Sequence, residues 1–267
     1  MTDSLHTKLE YTALSGGGRV ARLILNRPDQ ANAFSSQMMD EITSHVLKLK
    51  TEADVRLLVV SGAGKHFSAG ADLGWMQAAA KLSYDENLRD AAKLRSMFEG
   101  LVALDIPKIA TITGAVYGGA VGLVACCDFA LAQENAKFCL SEAKLGLLPA
   151  VIAPYLLRKM IPGQLRRMAL TSKVFTAVEA QEYGLIEVVT PDVEATLNVE
   201  VNAALACGPE AQRAINRLFE TLRSKGNPQS DETVEAISKA RTGNEGQAGL
   251  SSFFVKSTAP WVRTINP

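Results

Sequence analysis

What the chain lacks narrows it first. Its 28 basic and 28 acidic residues cancel, so no overall field draws it to nucleic acid or to an anionic membrane, and any anion must be held by a local site. It has only four cysteines (Cys126, Cys127, Cys139 and Cys207), none in C-x-x-C spacing, and three scattered histidines. That supply argues against a zinc or other metal site and fits buried free thiols in a reducing compartment. The opening MTDSLHTKLE has no apolar signal core and carries Asp3 and Glu10, which argues against secretion and against a transit peptide and makes the cytoplasm the expected location. Charge is also missing from Ile109 to Cys127, a run whose length approaches a membrane span. Gly114, Gly118, Gly119, Gly122 and two threonines interrupt it, so it reads as a buried strand, a turn and a buried helix, with no membrane association expected.

With 267 residues and 47% hydrophobic composition, the chain can fill one large core or a core with a small annex. β-rich runs at Glu10–Leu14, Val20–Leu25 and Leu57–Ser61 alternate with helical patterns, first over Ser36–Leu49 after the loop NRPDQANAF. A long helix is expected over Tyr84–Leu104, stopped by DIPK, followed by a strand at Ile109–Thr113, the glycine-rich turn, the buried helix and a strand at Phe129–Gln133. This is an α/β pattern. From about Gly163 amphipathic helices dominate, with Thr176 as an N-cap and Gly184 as a helix stop, and the tail from Asp192 to Pro267 reads as helical throughout. The simplest division is an α/β core over residues 1–195 and a helical region over 196–267.

Two loops stand out chemically. HFSAGADL (His66–Leu73) follows the strand RLLVVSG, and loops at the carboxyl ends of strands are where α/β proteins usually bind ligands. GAVYGGAVG brings flexible backbone to the start of a helix, where free N–H groups and the helix dipole favour negative charge. Together they could offer two N–H donors to one oxygen, although the same glycines would serve a plain tight turn. Gly118 and Gly119 do not form G-x-G-x-x-G, so no dinucleotide fingerprint is supported. In AKFCLSEAKLGLLPAV (Ala136–Val151), Glu142 sits among apolar residues; it is either a surface cap partner or a desolvated acid/base. Lys144 reads as a solvated surface group.

In order, FSAGADL, GAVYGGAVGLVACCDFALA, AKFCLSEAKLGLLP and FTAVEAQEYGLIEVV resemble the enoyl-CoA hydratase/isomerase (crotonase) superfamily across nearly the whole chain. Within it, CLSEAKLGLLPAVIAPYL and GGAVGLVACCD are most similar to methylglutaconyl-CoA hydratases of leucine breakdown and isohexenylglutaconyl-CoA hydratase of acyclic-terpene breakdown. The resemblance implies a crotonase-like ββα spiral core with a C-terminal helical region that assembles a homotrimer or homohexamer. It implies that the amides of Ala71 and Gly119 hold the thioester oxygen as it becomes an enolate, with Glu142 as acid/base. Losing one such donor typically costs about 3 kcal/mol of transition-state stabilisation, which outweighs a helix-propensity cost of roughly 1 kcal/mol per glycine.

Many hydratases of the superfamily carry a second glutamate, and the matching position here is Gly122. One carboxylate can take a proton from water as hydroxide adds to C3 and return one to C2; it can also move a proton between C2 and C4, as an isomerase does. The subgroup likeness favours hydration of a branched, carboxylated enoyl-CoA, with a non-catalytic acyl-CoA or RNA-binding role as the remaining alternative; the neutral charge speaks against RNA. For coenzyme A, the resemblance implies the backbone of Ala69, Ala71 and Leu73 at the adenine, and Lys256 in a C-terminal helix reaching a phosphate or the adenine from a neighbouring subunit. Phe253 and Phe254 would pack that helix on the adenine or belong to an interface core. Coenzyme A arrives as part of the substrate, and no other cofactor is expected. Residues 150–154 either shape the acyl pocket or pack the core, while Arg158 and Lys159 read as exposed helix residues outside the site.

Overall fold

The computed structural model describes residues 5–225 and 230–265. β1 (Thr7–Ala13) and β2 (Arg19–Leu25) form an antiparallel hairpin. α1 (Ser36–Thr51) starts on Ser35, whose side chain accepts a hydrogen bond from the Met38 amide. β3 (Val55–Gly62) runs parallel to β2. Then follow α2 (Leu73–Ala79), capped by Asp72, and α3 (Tyr84–Val102), opened by a capping box between Ser83 and Glu86. β4 (Lys108–Ile112), β5 (Ala115–Tyr117) and α4 (Gly119–Ala125) absorb the charge-free run. Among the described residues, no helix is long and apolar enough to cross a membrane.

β6 (Phe129–Gln133) and β7 (Lys137–Cys139) come next, then α5 (Ala153–Lys159), α6 (Pro162–Thr171), β8 (Phe175–Thr176), α7 (Ala177–Glu182) and β9 (Val188–Thr190). Six strands form one sheet in the order β1-β2-β3-β4-β6-β9, parallel beyond the first pair, and β5-β7-β8 form a second. The chain steps between sheets at β4 to β5, β5 to β6, β6 to β7 and β8 to β9, so it advances as a spiral. Between them lies the main core, in which every residue of α4 from Ala120 to Ala125 is buried. α8 (Val193–Leu205) covers the other face of the larger sheet, with Leu197, Val201 and Leu205 against Leu57, Ile109 and Leu131. α9 (Pro209–Lys225), α10 (Ser230–Thr242) and α11 (Asn244–Phe254) complete the helical C-terminal region. The expected α/β spiral with its helical end is therefore the observed architecture.

Three details differ from the sequence reading. The tail is not helical throughout: no helix follows Phe254 up to residue 265, where Trp261 instead donates from Nε1 to the Ala206 carbonyl and receives Arg56 on its own carbonyl. β8 and β9, at two and three residues, are too short for alternation to register in the sequence. Cys207 is exposed, unlike the buried Cys126, Cys127 and Cys139. The boundary between residues 195 and 196 falls inside α8. Thr176 forms a capping box with Glu179, and Gly184 adopts positive φ after the next helix, as read.

Candidate active site

The loop after β3 is held from two sides. On one side Ser68 donates from its amide to the Ala115 carbonyl and accepts from the Tyr117 amide, pairing Ser68 with Val116 in parallel. On the other, Phe34 donates to the Gly70 carbonyl, Asp72 to the Phe34 carbonyl and Ala69 to the Ala31 carbonyl. The contact is close enough to demand glycine: Gly70 has φ +92°, and a Cβ there would lie 2.7 Å from the Tyr117 carbonyl oxygen. Ala71 follows three residues after Ser68 and is itself bridged to Phe34, while Gly119, three residues after Val116, is the first residue of α4.

Gly118 precedes α4 at φ +52° and ψ −125°, a conformation side chains rarely adopt, and its amide donates to the Cys139 carbonyl. That bond ties the start of α4 to the end of β7. Gly119 opens the helix, where amides have no partner in the preceding turn. Among the described residues, neither the Ala71 nor the Gly119 amide donates to any acceptor. Gly119 itself is less crowded than a close-approach glycine: a Cβ there would meet only the Phe34 ring, at 3.5 Å and 3.6 Å.

Glu142 begins a single 3-10 turn three residues past β7, closed by Gly146 in the left-handed region. The Gly118–Cys139 bond sets this turn over the start of α4, so a Cβ on Gly118 would lie 3.5 Å from Glu142 Oε1. Glu142 is half-buried, and its Oε2 is buried with no hydrogen-bond partner. Burial pushes its carboxyl above the ordinary value, only partly opposed by its own backbone amide. Cys139 beside it is an inert neighbour, since burial raises its thiol and its Sγ donates to the Ser172 carbonyl.

Ala71, Gly119 and Glu142 are thus brought to one place, on a β-bridge and a short turn. Ala69 and Leu73 flank Ala71, with Leu73 76% exposed. Lys256 lies apart: it follows α11, adopts φ +55°, and is not helical. The helix it follows, α11, packs on α9 and α10. Arg158 and Lys159 are not exposed helix residues. Their side chains are 20% and 13% accessible and pair with Glu220 and Glu187, and Arg158 also stacks on the Tyr155 ring. Lys144 is exposed. Of residues 150–154, Ile152 is core, 2% exposed, and it fills the space above Gly122: a Cβ on Gly122 would lie 2.2 Å from Ile152 Cγ2. The position of the missing carboxylate is occupied by hydrocarbon.

Two supports escaped the sequence reading. Asn32, fully buried at φ +53°, donates from Nδ2 to the Ala63 and His66 carbonyls and accepts from the Arg27 amide. Arg27 in turn donates to Asp72 Oδ2 and to the Ala33 carbonyl. The only available signal was an Asn between small residues, the type that most readily enters the left-handed region. Together these bonds fix the loop that presents Ala71.

Chemically, two unengaged amides can hold an oxygen on which negative charge develops, and preorganised donors are most effective where water is excluded. A half-buried carboxylate beside them, its proton affinity raised by burial, can accept and return a proton.

A family model described as Enoyl-CoA hydratase/isomerase matches residues 16–263. An enoyl-CoA hydratase of Alternaria alternata is 30% identical over 248 residues, covering 91% of this chain and 80% of its own length. Among solved structures, an enoyl-CoA hydratase from Shewanella pealeana aligns with a TM-score of 0.90 at 38% identity and covers 97% of both chains. AtuE of Pseudomonas aeruginosa aligns with 0.89 at 32% identity, covering 96% of this chain and 99% of its own.

Proposed function

The chain belongs to the enoyl-CoA hydratase/isomerase family, and we propose that it adds water across the 2,3-double bond of a branched, carboxylated enoyl-CoA of the 3-methylglutaconyl or isohexenylglutaconyl type. Carrying this reading is the meeting of two unengaged amides, at Ala71 and Gly119, with one half-buried carboxylate that has an unpartnered oxygen. The amides hold the thioester oxygen as the enolate forms. Glu142 takes a proton from the attacking water and delivers one to C2 on the same face. Both transfers are acid/base steps that leave oxidation state unchanged, and coenzyme A enters as part of the substrate. Its adenine end lies along Ala69, Ala71 and Leu73, with Lys256 supplied by a neighbouring subunit.

Assembly into a homotrimer or homohexamer belongs to the same proposal. Phe253 and Phe254 are 76% and 75% exposed in the single chain, and large apolar side chains so placed mark interaction surfaces. Products of leucine or acyclic-terpene breakdown in the cytoplasm would supply the substrate.

Incubation of the purified protein with 3-methylglutaconyl-CoA and with isohexenylglutaconyl-CoA, read by mass spectrometry, tests it. Gain of one water on either is expected; no gain on both overturns the hydratase reading. A second reading, double-bond isomerisation, is favoured by Gly122 and Ile152, because one carboxylate is all that a C2-to-C4 proton transfer needs. It would show as an unchanged mass with a shifted double bond.

A further inference from the structure

Phe34 ends the loop NRPDQANAF and immediately precedes Ser35, the N-cap of α1. It is 1% exposed, and it touches both halves of the amide pair. On the Ala71 side the contact is main chain: the Phe34 amide donates to the Gly70 carbonyl at 2.7 Å and its carbonyl accepts from the Asp72 amide at 2.9 Å. These two bonds straddle Ala71, to which Phe34 is bridged in parallel. On the Gly119 side the contact is the ring, with Cδ2 and Cε2 at 3.5 Å and 3.6 Å from where a side chain on Gly119 would begin. Among the described residues, apart from Gly119's chain neighbours and its own helix backbone, nothing else comes within 4 Å of that point. The turn that delivers Phe34 is itself fixed, with Ala31 and Asn32 at φ +48° and +53° and the Ala31 carbonyl accepting from the Ala69 amide.

We propose that Phe34 is a positioning residue of this site: its main chain sets the Ala71 amide, its ring backs the Gly119 amide, and so one residue holds the spacing between the two. The proposal rests on the hydratase reading and adds a second link between the amides. The Ser68–Val116 bridge joins the two segments three residues before either amide, whereas Phe34 spans them at the level of the amides themselves. A misplacement of about 1 Å can cost on the order of 10²-fold in rate, so a rigid ring in contact with one donor and a backbone bonded around the other bears directly on the grip.

Phe34→Leu keeps the backbone bonds and removes the ring; Phe34→Met, closer in volume, is measured beside it so that the comparison stands if leucine unfolds the protein. Leu131→Ala is the control, since Leu131 is fully buried on the other face of the larger sheet, against α8. Two readouts are taken below the Tm of every variant: kcat and KM on 3-methylglutaconyl-CoA, and the infrared band of the thioester carbonyl in bound 3-methylglutaryl-CoA, a saturated probe labelled with ¹³C at that carbon. In the wild type the band is expected to move to lower wavenumber on binding. Both Phe34 variants should show a smaller movement, with kcat lower by about tenfold and KM changed far less, because the donors act most where charge develops on the oxygen. Leu131→Ala should lose Tm while keeping the wild-type band and kcat. A band that does not move in the wild type, or that moves as far in the Phe34 variants as in the wild type, overturns the proposal, as does a Leu131→Ala band altered like theirs. If the wild type hydrates neither thioester named above, the hydratase reading falls, and the band comparison still decides whether Phe34 sets the grip on the carbonyl oxygen.

Discussion

The substitution Glu142→Gln keeps the shape of the side chain while removing its charge and its capacity to accept a proton. A positioned general base contributes about 10²–10⁴-fold, so kcat/KM should fall by that factor, roughly 3–5 kcal/mol of barrier. Stability should move the other way. Glu142 Oε2 is buried without a partner, and a buried acceptor left unpaired costs roughly 1–3 kcal/mol, more when it is ionised. Relief of part of that cost at roughly 2–4 °C per kcal/mol should raise Tm by several degrees. Burial raises the Glu142 carboxyl in the folded protein, so the folded state binds this proton more tightly than the unfolded chain. Wild-type stability from this group is therefore complete below the ordinary carboxylate value and is lost as pH rises through the folded value. The advantage of the glutamine variant should be full at pH 8 and close as the solution is acidified through that window. Calorimetry across pH, beside steady-state kinetics, measures both. A Tm difference that is the same at every pH, or kcat/KM within tenfold of wild type, would refute the reasoning.

Three substitutions probe the scaffold. Gly118→Ala forces a Cβ into a left-handed conformation at 3.5 Å from Glu142 Oε1; strain of about 1–3 kcal/mol should lower Tm, with kcat falling too, and unchanged values would contradict the geometry. Gly119→Ala meets only Phe34 at ordinary contact, so Tm should stay put while KM for the thioester rises; an unaltered KM would remove the case for close approach there. Asn32→Leu leaves the Ala63 and His66 carbonyls and the Arg27 amide unpaired, a loss of about 2 kcal/mol or more. Thermal unfolding should show it as a clear drop in Tm, accompanied by weaker turnover as the Ala71 loop loosens; full activity would detach Asn32 from the site.

The larger elements were legible because each carries its own signal. Val20–Leu25 and Phe129–Gln133 are β-rich runs, and Thr176 with Glu179 spells a capping box within four residues. At the site, Ala71, Gly119 and Glu142 were named from ordered motifs. What stayed hidden depends on partners distant in sequence. Ile152 touches Gly122 from thirty positions away, and Asn32 reaches His66 across an entire strand and helix. Arg158 and Lys159 looked like surface charges because nothing local reveals that Glu220 and Glu187 cover them. β8 and β9 exist only because neighbouring strands are there to receive them.

The parallel bridge between Ser68 and Val116, reinforced by the tight Gly70–Tyr117 contact, means that the spacing of the Ala71 and Gly119 amides, proposed above to hold the thioester oxygen, is set by main-chain geometry. Under the proposed function, residues around the acyl chain can be exchanged, by evolution or by an engineer, while that spacing stays as it is. New substrates are thus reached by repainting the walls of the cavity, whereas a change of chemistry requires altering what stands over Gly118 and Gly122.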